Sequence, residues 1–177
     1  MSPQGKQAII ITGPVGSGKS TTAKALAELL EHNDVSCALL DMDALHWFHP
    51  TPADDPFGSD VGFQHLKMMT DTYRNMGIPL LILADVIEID AVQHQQAMHD
   101  YPVLTIRLNV PLARLEDRLR LREPENQIPW HLNRAQELQT IMERNGVGDI
   151  VFAVDGESPQ EVAAEIAVQL ALISSRT

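Results

Sequence analysis

The sequence predicts a single α/β domain of three layers, in which helices cover both faces of a five-stranded parallel sheet. Five short apolar segments alternate with segments of helical periodicity along the 177 residues. Strands buried on both faces are continuous apolar runs, and their alternation with helices is typical of parallel sheets. We expect residues 1–177 to form one domain, because two domains in this length would each be unusually small.

The first half of the chain contains three predicted strands and two long helices. Residues 7–12, 36–40 and 79–84 are apolar runs and are predicted strands. A helix is predicted from Lys19 to about His32, and a second over residues 61–75, closed by Gly77. Between them, residues 50–58 are rich in Pro, Asp and Gly and are predicted to form a loop.

The second half continues the same alternation. Asp90 is expected to cap a helix that runs to about His99, and Pro111 to open another. Residues 123–129 contain two prolines and are expected to break that helix before helical periodicity resumes over residues 130–144. Strands are predicted at residues 103–108 and 150–154, and a terminal helix after Ser158, with Glu161 as its capping-box partner.

Charge and cysteine content limit the possible partners and compartment. The net charge is −11, with 24 acidic and 13 basic residues, which disfavours binding to a nucleic-acid backbone. Cys37 is the only cysteine, so an internal disulfide is excluded and the cytosol is favoured. The apolar run after Lys6 is too short for a signal peptide, and none approaches the roughly 20 residues of a membrane helix. We expect a soluble cytoplasmic protein that binds neither nucleic acid nor membrane.

The strongest functional signal is a phosphate-binding loop. Residues 13–20 match G-x-x-x-x-G-K-S/T at every fixed position, between a predicted buried strand and an amphipathic helix. Glycines let backbone N–H groups approach phosphate oxygens, and the positive end of the helix faces the same anion. Lys19 is expected to reach the β- and γ-phosphates of ATP, and the Ser20 hydroxyl to bind Mg²⁺. The predicted nucleotide-binding residues here are Gly13, Pro14, Val15, Gly16, Ser17, Gly18, Lys19, Ser20 and Thr21.

Missing motifs exclude several classes of P-loop protein. The sequence has neither the Asn-Lys-x-Asp of GTPases nor the Leu-Ser-Gly-Gly-Gln of transporter ATPases, and it is too short for a large ring ATPase. Four segments remain to be explained: the phosphate loop, LDMDALH at 40–46, RLRLR at 118–122 and VDGESP at 154–159. In these segments the chain resembles the P-loop small-molecule kinases, which include gluconate, shikimate, adenylylsulfate and chloramphenicol kinases. Within this group it is most similar to bacterial AAA-type ATPases of unassigned substrate.

The resemblance implies ATP-dependent phosphoryl transfer to a hydroxyl group, with ATP preferred over GTP. Such a hydroxyl needs a carboxylate that takes its proton and fixes its direction, and Asp43 is the candidate base. Asp41 would orient Mg²⁺ through water, and Asp85, at the end of the third predicted strand, fits a second metal-side carboxylate. For each aspartate the alternative is a cap of the next turn, and the sequence leaves the choice of metal carboxylate open.

Two arginines are candidates for contacts with ATP. Arg118 and Arg122 lie one helical turn apart and face the same way, ahead of the proline-bounded break. The position suits a mobile lid, at about residues 118–134, that closes on ATP. The resemblance implies that one such arginine covers the adenine and another neutralises phosphate, so both are catalytic candidates and Arg118 is also a nucleotide-binding candidate. The alternative is a solvated basic face.

The region that builds the acceptor site in such kinases is acidic here. Residues 41–100 contain ten acidic residues, and their only Lys and Arg are Lys67 and Arg74. Anionic acceptors need basic partners, so we expect a neutral or cationic acceptor. His46 and His49 lack further ligands at metal-site spacing and are expected to be loop histidines. Three aromatic residues fit either an acceptor pocket or the core: Trp47, Phe48 and Phe57.

Two other functions remain open at this point. A nucleotide-dependent switch with slow hydrolysis would need residues 13–20 but not Asp43. A polynucleotide-end kinase would share the phosphate loop and the Asp-x-Asp pair, but the acidic charge disfavours it. The sequence does not identify the acceptor or the oligomeric state.

Overall fold

A computed structural model describes residues 5–173 and confirms the five-stranded parallel sheet. The strands are β1 (Gln7–Thr12), β2 (Cys37–Asp41), β3 (Leu80–Ala84), β4 (Val103–Asn109) and β5 (Ile150–Ala153). Their order in the sheet is β2-β3-β1-β4-β5, and every neighbouring pair is parallel. β1, which leads into the phosphate loop, is therefore the central strand.

Helices connect the strands and close both faces of the sheet. They are α1 (Lys19–His32), α2 (Met42–His46), α3 (Ser59–Asn75), α4 (Val92–Ala97), α5 (Leu112–Arg122), α6 (Ile128–Arg144) and α7 (Pro159–Gln169). Within residues 5–173, no helix combines the length and apolar character that a bilayer span requires.

The core consists of two apolar clusters, one on each face of the sheet. Successive side chains of a strand point to opposite faces, so Ile9 and Ile11 join one cluster and Ile10 joins the other. The first cluster includes buried residues of α1, α5 and α7, and the second includes buried residues of α2, α3 and α4. Burial on both faces explains why the strands are continuous apolar runs, and it confirms the three layers.

Most predicted elements lie where expected, including the terminal helix. Ser158 accepts a hydrogen bond from the Glu161 backbone N–H, and the Glu161 carboxylate accepts one from the Ser158 N–H, which completes the capping box. The Ser158 N–H and the Ser158 hydroxyl both donate to the Glu161 carboxylate, which favours its ionised form and holds the pKa of Glu161 below its usual range.

Two predicted helix boundaries are wrong, and one short helix was missed. α4 ends at Ala97 rather than near His99, although the Asp90 carboxylate does accept the Val92 N–H, at 3.0 Å. α6 begins at Ile128, so Pro129 belongs to its first turn, where a missing N–H removes no helical hydrogen bond. The five-residue helix α2 was not predicted at all; Asp41, the last residue of β2, caps it.

Candidate active site

The candidate site lies where the carboxyl ends of the strands meet, which is where open parallel sheets bind ligands. The phosphate loop leaves β1 at this edge and enters α1 at Lys19. Asp41 ends β2 and pairs in register with Ala84, so Asp41 and Asp85 follow neighbouring strands. Parallel topology therefore brings the candidate carboxylates to the edge of the sheet that carries the phosphate loop.

The glycines of the phosphate loop have conformations that other residues rarely adopt. Gly16 and Gly18 have φ angles of 83° and 93°, in the left-handed region. A Cβ atom on Gly13 would lie 2.7 Å from Ser17 Oγ and 2.9 Å from the Leu108 carbonyl oxygen. Ser17 is buried, and its Oγ has no hydrogen-bond partner among the described residues. The loop thus has the tight backbone and the unmet hydrogen-bonding capacity of a phosphate cradle.

Lys19 is a half-buried cation at the centre of the site. Burial lowers the pKa of Lys19, while the charges of Asp43, Asp85 and Asp41 raise it and that of Arg122 lowers it. Its Nζ donates one long hydrogen bond, of 3.4 Å, to the Pro14 carbonyl oxygen. A desolvated ammonium group with so few hydrogen bonds is poised to bind an anion.

A cavity of about 550 Å³ joins most of the predicted site residues. Its walls include Lys19, Ser20 and Thr21 of the phosphate loop and α1, together with Asp43, Arg118 and Arg122. The motif after β5 contributes Val154, Glu157 and Pro159. Asp41 and Asp85 do not line this cavity. We call it the nucleotide cleft.

Some lining residues of the nucleotide cleft were not predicted: Trp130, His131 and Val162. Trp130 and His131 lie in the first turn of α6, after the proline-bounded break. Both residues lie within the predicted lid, at about residues 118–134, and this position was an available signal. Val162 directly follows the capping box of α7, and nothing local distinguishes it from a core residue.

The two candidate arginines have different contacts: Arg118 touches the phosphate loop, and Arg122 does not. Arg118 donates from one guanidinium nitrogen to the Ser17 carbonyl oxygen at 3.2 Å and to that of Gly16 at 3.5 Å. Arg122 instead pairs with Glu123, with 2.6 Å between Nε and Oε1. Glu123 also lies 3.3 Å from Nε2 of His131, so one carboxylate links α5 to α6.

The aspartates at the strand ends have structural partners. Asp41 Oδ1 accepts the Asp43 N–H at 3.0 Å, which caps α2 and matches the alternative role considered for it. Asp85 Oδ1 accepts the Val86 N–H at 2.7 Å, and its Oδ2 lies 2.6 Å from Nε2 of His94. The side chain of Asp43 is exposed at the nucleotide cleft. The metal roles of Asp41 and Asp85 therefore stay predictions.

The aromatic residues after α2 do not form part of the core. Trp47 is 81% exposed and Phe57 is 73% exposed, whereas Phe48 is half-buried. Arg134 on α6 pairs with Glu88 and, at 2.9 Å, with Glu137, and it does not line the nucleotide cleft. Neither the exposed aromatics nor Arg134 therefore contributes to the phosphate end of the site.

Comparison with known proteins agrees with this geometry. The adenylylsulphate kinase family model matches residues 5–49, which span β1, the phosphate loop, α1, β2 and α2. This match covers less than half of the chain. A search of curated proteins found no significant match.

Solved structures match over nearly the whole chain. A sugar kinase from Janibacter sp. aligns with a TM-score of 0.64 at 17% identity, covering 94% of this chain and 95% of its own. Adenylylsulphate kinase from Mycobacterium tuberculosis, bound to AMPPNP and APS, aligns with a TM-score of 0.62 at 22% identity, covering 96% and 99%. Shikimate kinase from Acinetobacter baumannii, bound to shikimate, aligns with a TM-score of 0.61 at 18% identity, covering 94% and 93%.

These similarities are too distant in sequence to carry an activity, but they agree on the architecture. The sheet order, the phosphate loop and the near-complete overlap with these structures all indicate the same fold. The chain has the fold of the P-loop small-molecule kinases.

Proposed function

We propose that the protein transfers the γ-phosphoryl group of ATP to a hydroxyl group of a small neutral or cationic molecule. The observation that carries the proposal is the nucleotide cleft, whose walls bring Lys19, Asp43 and the α5 arginines Arg118 and Arg122 together from three separate parts of the sequence. A site that only held a nucleotide would not need an exposed carboxylate at the phosphate end. The fold shared with known kinases supports the same reaction class.

Each residue has a distinct role in this reaction. Asp43 takes the proton of the acceptor hydroxyl as the acceptor oxygen forms its bond to the γ-phosphorus. The bond from that phosphorus to the β–γ bridging oxygen breaks, and ADP leaves. Lys19 and the arginines stabilise the charge that spreads over the transferred oxygens.

Mg²⁺ fits the chemistry of the oxygen donors near the phosphate loop. The Ser20 hydroxyl lines the nucleotide cleft, and the charges of Asp41, Asp43 and Asp85 all act on the neighbouring Lys19. Ser20 would hold the ion, with Asp41 or Asp85 acting through its bound water. When bound, Mg²⁺ neutralises charge on the β- and γ-phosphates.

Residues 118–134 are proposed to form the lid. Arg118 already contacts the phosphate loop, while Arg122 is held by Glu123. Glu123 is bound from α5 and from α6, so it holds the two sides of the proline-bounded break together. On ATP binding, Arg122 would exchange Glu123 for phosphate oxygens, to which arginine binds well.

The positions of the basic residues support a neutral or cationic acceptor. Lys67 pairs with Asp71 at 2.9 Å, and Arg74 pairs with Asp71 at 3.1 Å and with Asp100 at 2.7 Å. Both cations of residues 41–100 are thus engaged by carboxylates on the outside of α3 or beside it. Neither lines the nucleotide cleft.

A direct test incubates the purified protein with Mg-ATP and hydroxyl compounds matched in size but not in charge. Glucosamine, glucose and gluconate form one such set. A compound that raises ADP release above the basal rate and gains one phosphoryl group by mass supports the proposal. Preferential phosphorylation of anionic members would refute the acceptor class. A site that binds and slowly hydrolyses ATP, with no acceptor in any metabolite mixture, would instead favour a nucleotide-dependent switch.

The role of Asp43 has its own test. We expect Asp43→Asn to lower the rate of phosphoryl transfer by about 10²–10⁴-fold, the usual loss on removing a general base. The Kd for ATP should change little, because the amide keeps the shape of the side chain. Single-turnover transfer and equilibrium binding measure the two quantities separately. A transfer rate within about threefold of the wild type would exclude Asp43 as the base.

A further inference from the structure

A second hollow lies beside the nucleotide cleft. It has a volume of about 320 Å³ and is bounded by the end of α2, the start of α3 and the segment between β3 and α4. Val86 lines both the hollow and the nucleotide cleft, so the two cavities adjoin. A hydroxyl group bound at their junction would lie next to the phosphate end of the site. We call this cavity the acceptor hollow.

Two histidines in the wall of the acceptor hollow have unmet hydrogen-bonding capacity. His94 is only 4% exposed, and its Nδ1 has no partner among the described residues, although its Nε2 is paired with Asp85. His46 Nε2 is likewise buried without a partner. Both rings meet Phe63 edge-on, with centroids 5.0 Å away for His94 and 6.3 Å for His46. The ring of His46 is packed onto Gly62 of α3, which occupies the side of Nε2. Buried polar atoms are nearly always paired, so the unpaired Nδ1 of His94 is the nitrogen that points to a partner supplied by a bound molecule.

The charged residues that line the acceptor hollow are all acidic. Asp85, Glu88 and Asp90 line it, and no Lys or Arg does. Arg134 pairs with Glu88 from α6 and shares its guanidinium with Glu137, so it offsets at most one of the three negative charges. One oxygen of Asp90 accepts the Val92 N–H, which orients the carboxylate and leaves its second oxygen for a ligand. The wall therefore carries a net negative charge.

The ligand that fits this charge is organic rather than a metal ion. Within residues 5–173, no three His, Cys, Asp or Glu side chains are grouped closely enough to hold a metal ion. Part of the wall is instead apolar, with Phe63, Ile87 and Ile89 beside the carboxylates. Apolar walls with a few placed polar groups are typical of small-molecule sites.

We infer that the acceptor hollow selects an acceptor that carries an amine, with Glu88 and Asp90 binding the ammonium group and His94 binding a neighbouring polar group. This inference rests on the proposed function, and it narrows the acceptor from neutral or cationic to cationic. Asp85 acts as a positioning residue, because its bond to Nε2 fixes the His94 ring in the wall. Ammonium donors match both carboxylate oxygens and an imidazole nitrogen that accepts a hydrogen bond.

The test uses the full chain with Mg-ATP and the small molecules of a bacterial extract, separated by charge. One fraction is retained by a cation exchanger at neutral pH, another by an anion exchanger, and the last by neither. Transfer of label from γ-labelled ATP is followed in each fraction. The inference predicts the main acceptor in the cation-exchange fraction.

The other outcomes distinguish the two proposals. A main acceptor in the neutral or anionic fraction overturns the cationic acceptor, and a neutral one leaves the proposed function intact. If no fraction accepts the label while ATP still binds, the proposed function fails and the inference fails with it.

Variants then test whether Glu88 and Asp90 are the residues that select the acceptor. For the acceptor that is found, we expect Glu88→Gln with Asp90→Asn to raise KM by about tenfold or more, since hydrogen bonds to charged groups are strong. The kcat and the KM for ATP should change little, because these carboxylates bind the ground state and the transition state alike. Glu137→Gln is the matched control, since it removes a charge from the same arginine outside the hollow. An equal rise in KM for the control would overturn the role of Glu88 and Asp90.

Discussion

At the residue scale, the position proposed to let Lys19 bind phosphate costs the nucleotide-free protein stability. Burial is the largest influence on it and lowers its pKa, which means that its charge is less stable in the folded chain than in water. Three nearby aspartates offset part of this cost. Bound phosphates would offset more of it, so the proposed binding of a triphosphate and the lowered pKa of Lys19 would have a common cause, the desolvated ammonium group.

Lys19→Met is therefore expected to raise the Tm of the nucleotide-free protein. The pKa of Lys19 is lowered from its ordinary 10.5 in the folded state. Between the lowered folded pKa and 10.5 the unfolded chain holds more protons, so wild-type stability rises with pH in that window. The Tm advantage of the variant should accordingly be largest at neutral pH and shrink as the pH rises through this window.

Thermal melts without and with Mg-ATP measure the stability of the nucleotide-free protein and the stabilisation by the nucleotide. Mg-ATP should raise the Tm of the wild type and should raise that of Lys19→Met much less. Lys24→Met is the control, because Lys24 is exposed on α1 and pairs with Glu28 rather than facing the loop. A lower Tm for nucleotide-free Lys19→Met than for the wild type would contradict this interpretation of the buried charge.

At the element scale, the packing of α2 against α3 builds the acceptor hollow. The ring of His46, at the end of α2, lies directly over Gly62 in the first turns of α3. A Cβ atom on Gly62 would collide with that ring. A glycine is needed here for close approach, since the residue is helical and has no unusual φ.

Gly62→Ala should therefore have opposite effects in two backgrounds. In the wild type we expect a loss of about 1–3 kcal/mol in the free energy of unfolding, as in other overpacked cores. In a His46→Ala background the collision is gone, and the better helix propensity of alanine should stabilise α3 by about 0.5–1 kcal/mol. Denaturant unfolding of the four proteins gives the coupling energy. A loss of the same size in both backgrounds would show that His46 does not set the packing of Gly62.

The elements also show what sequence can and cannot predict. Strands β1 to β5 and the phosphate loop were predictable because their signals are local: a continuous apolar run, or glycines at fixed spacing. The helix α2 was missed because it has only five residues, and its cap is a strand residue. The pairing of Asp85 with His94 was missed because it depends on where the chain after β3 turns back, which no local pattern encodes.

At the scale of the whole molecule, the parallel sheet assembles the candidate site. The order β2-β3-β1-β4-β5 places the phosphate loop of β1 beside the ends of β3 and β4, with Asp41 one strand further out. The candidate catalytic residues from Lys19 to Arg122 thus meet in one cleft although about a hundred positions separate them in sequence. Sequence motifs predicted most members of the cleft, whereas the adjoining acceptor hollow emerged only from the packing of α2 and α3.

The most direct test of phosphoryl transfer is the balance between ADP and inorganic phosphate. The protein would be incubated with Mg-ATP and an unfractionated small-molecule extract, and both products would be measured over the same period. A kinase passes the γ-phosphoryl group to an acceptor, so we expect ADP to exceed the inorganic phosphate released, with the difference abolished in Asp43→Asn. Equal amounts of ADP and inorganic phosphate, unaffected by that substitution, would contradict the account and identify a nucleotide hydrolase.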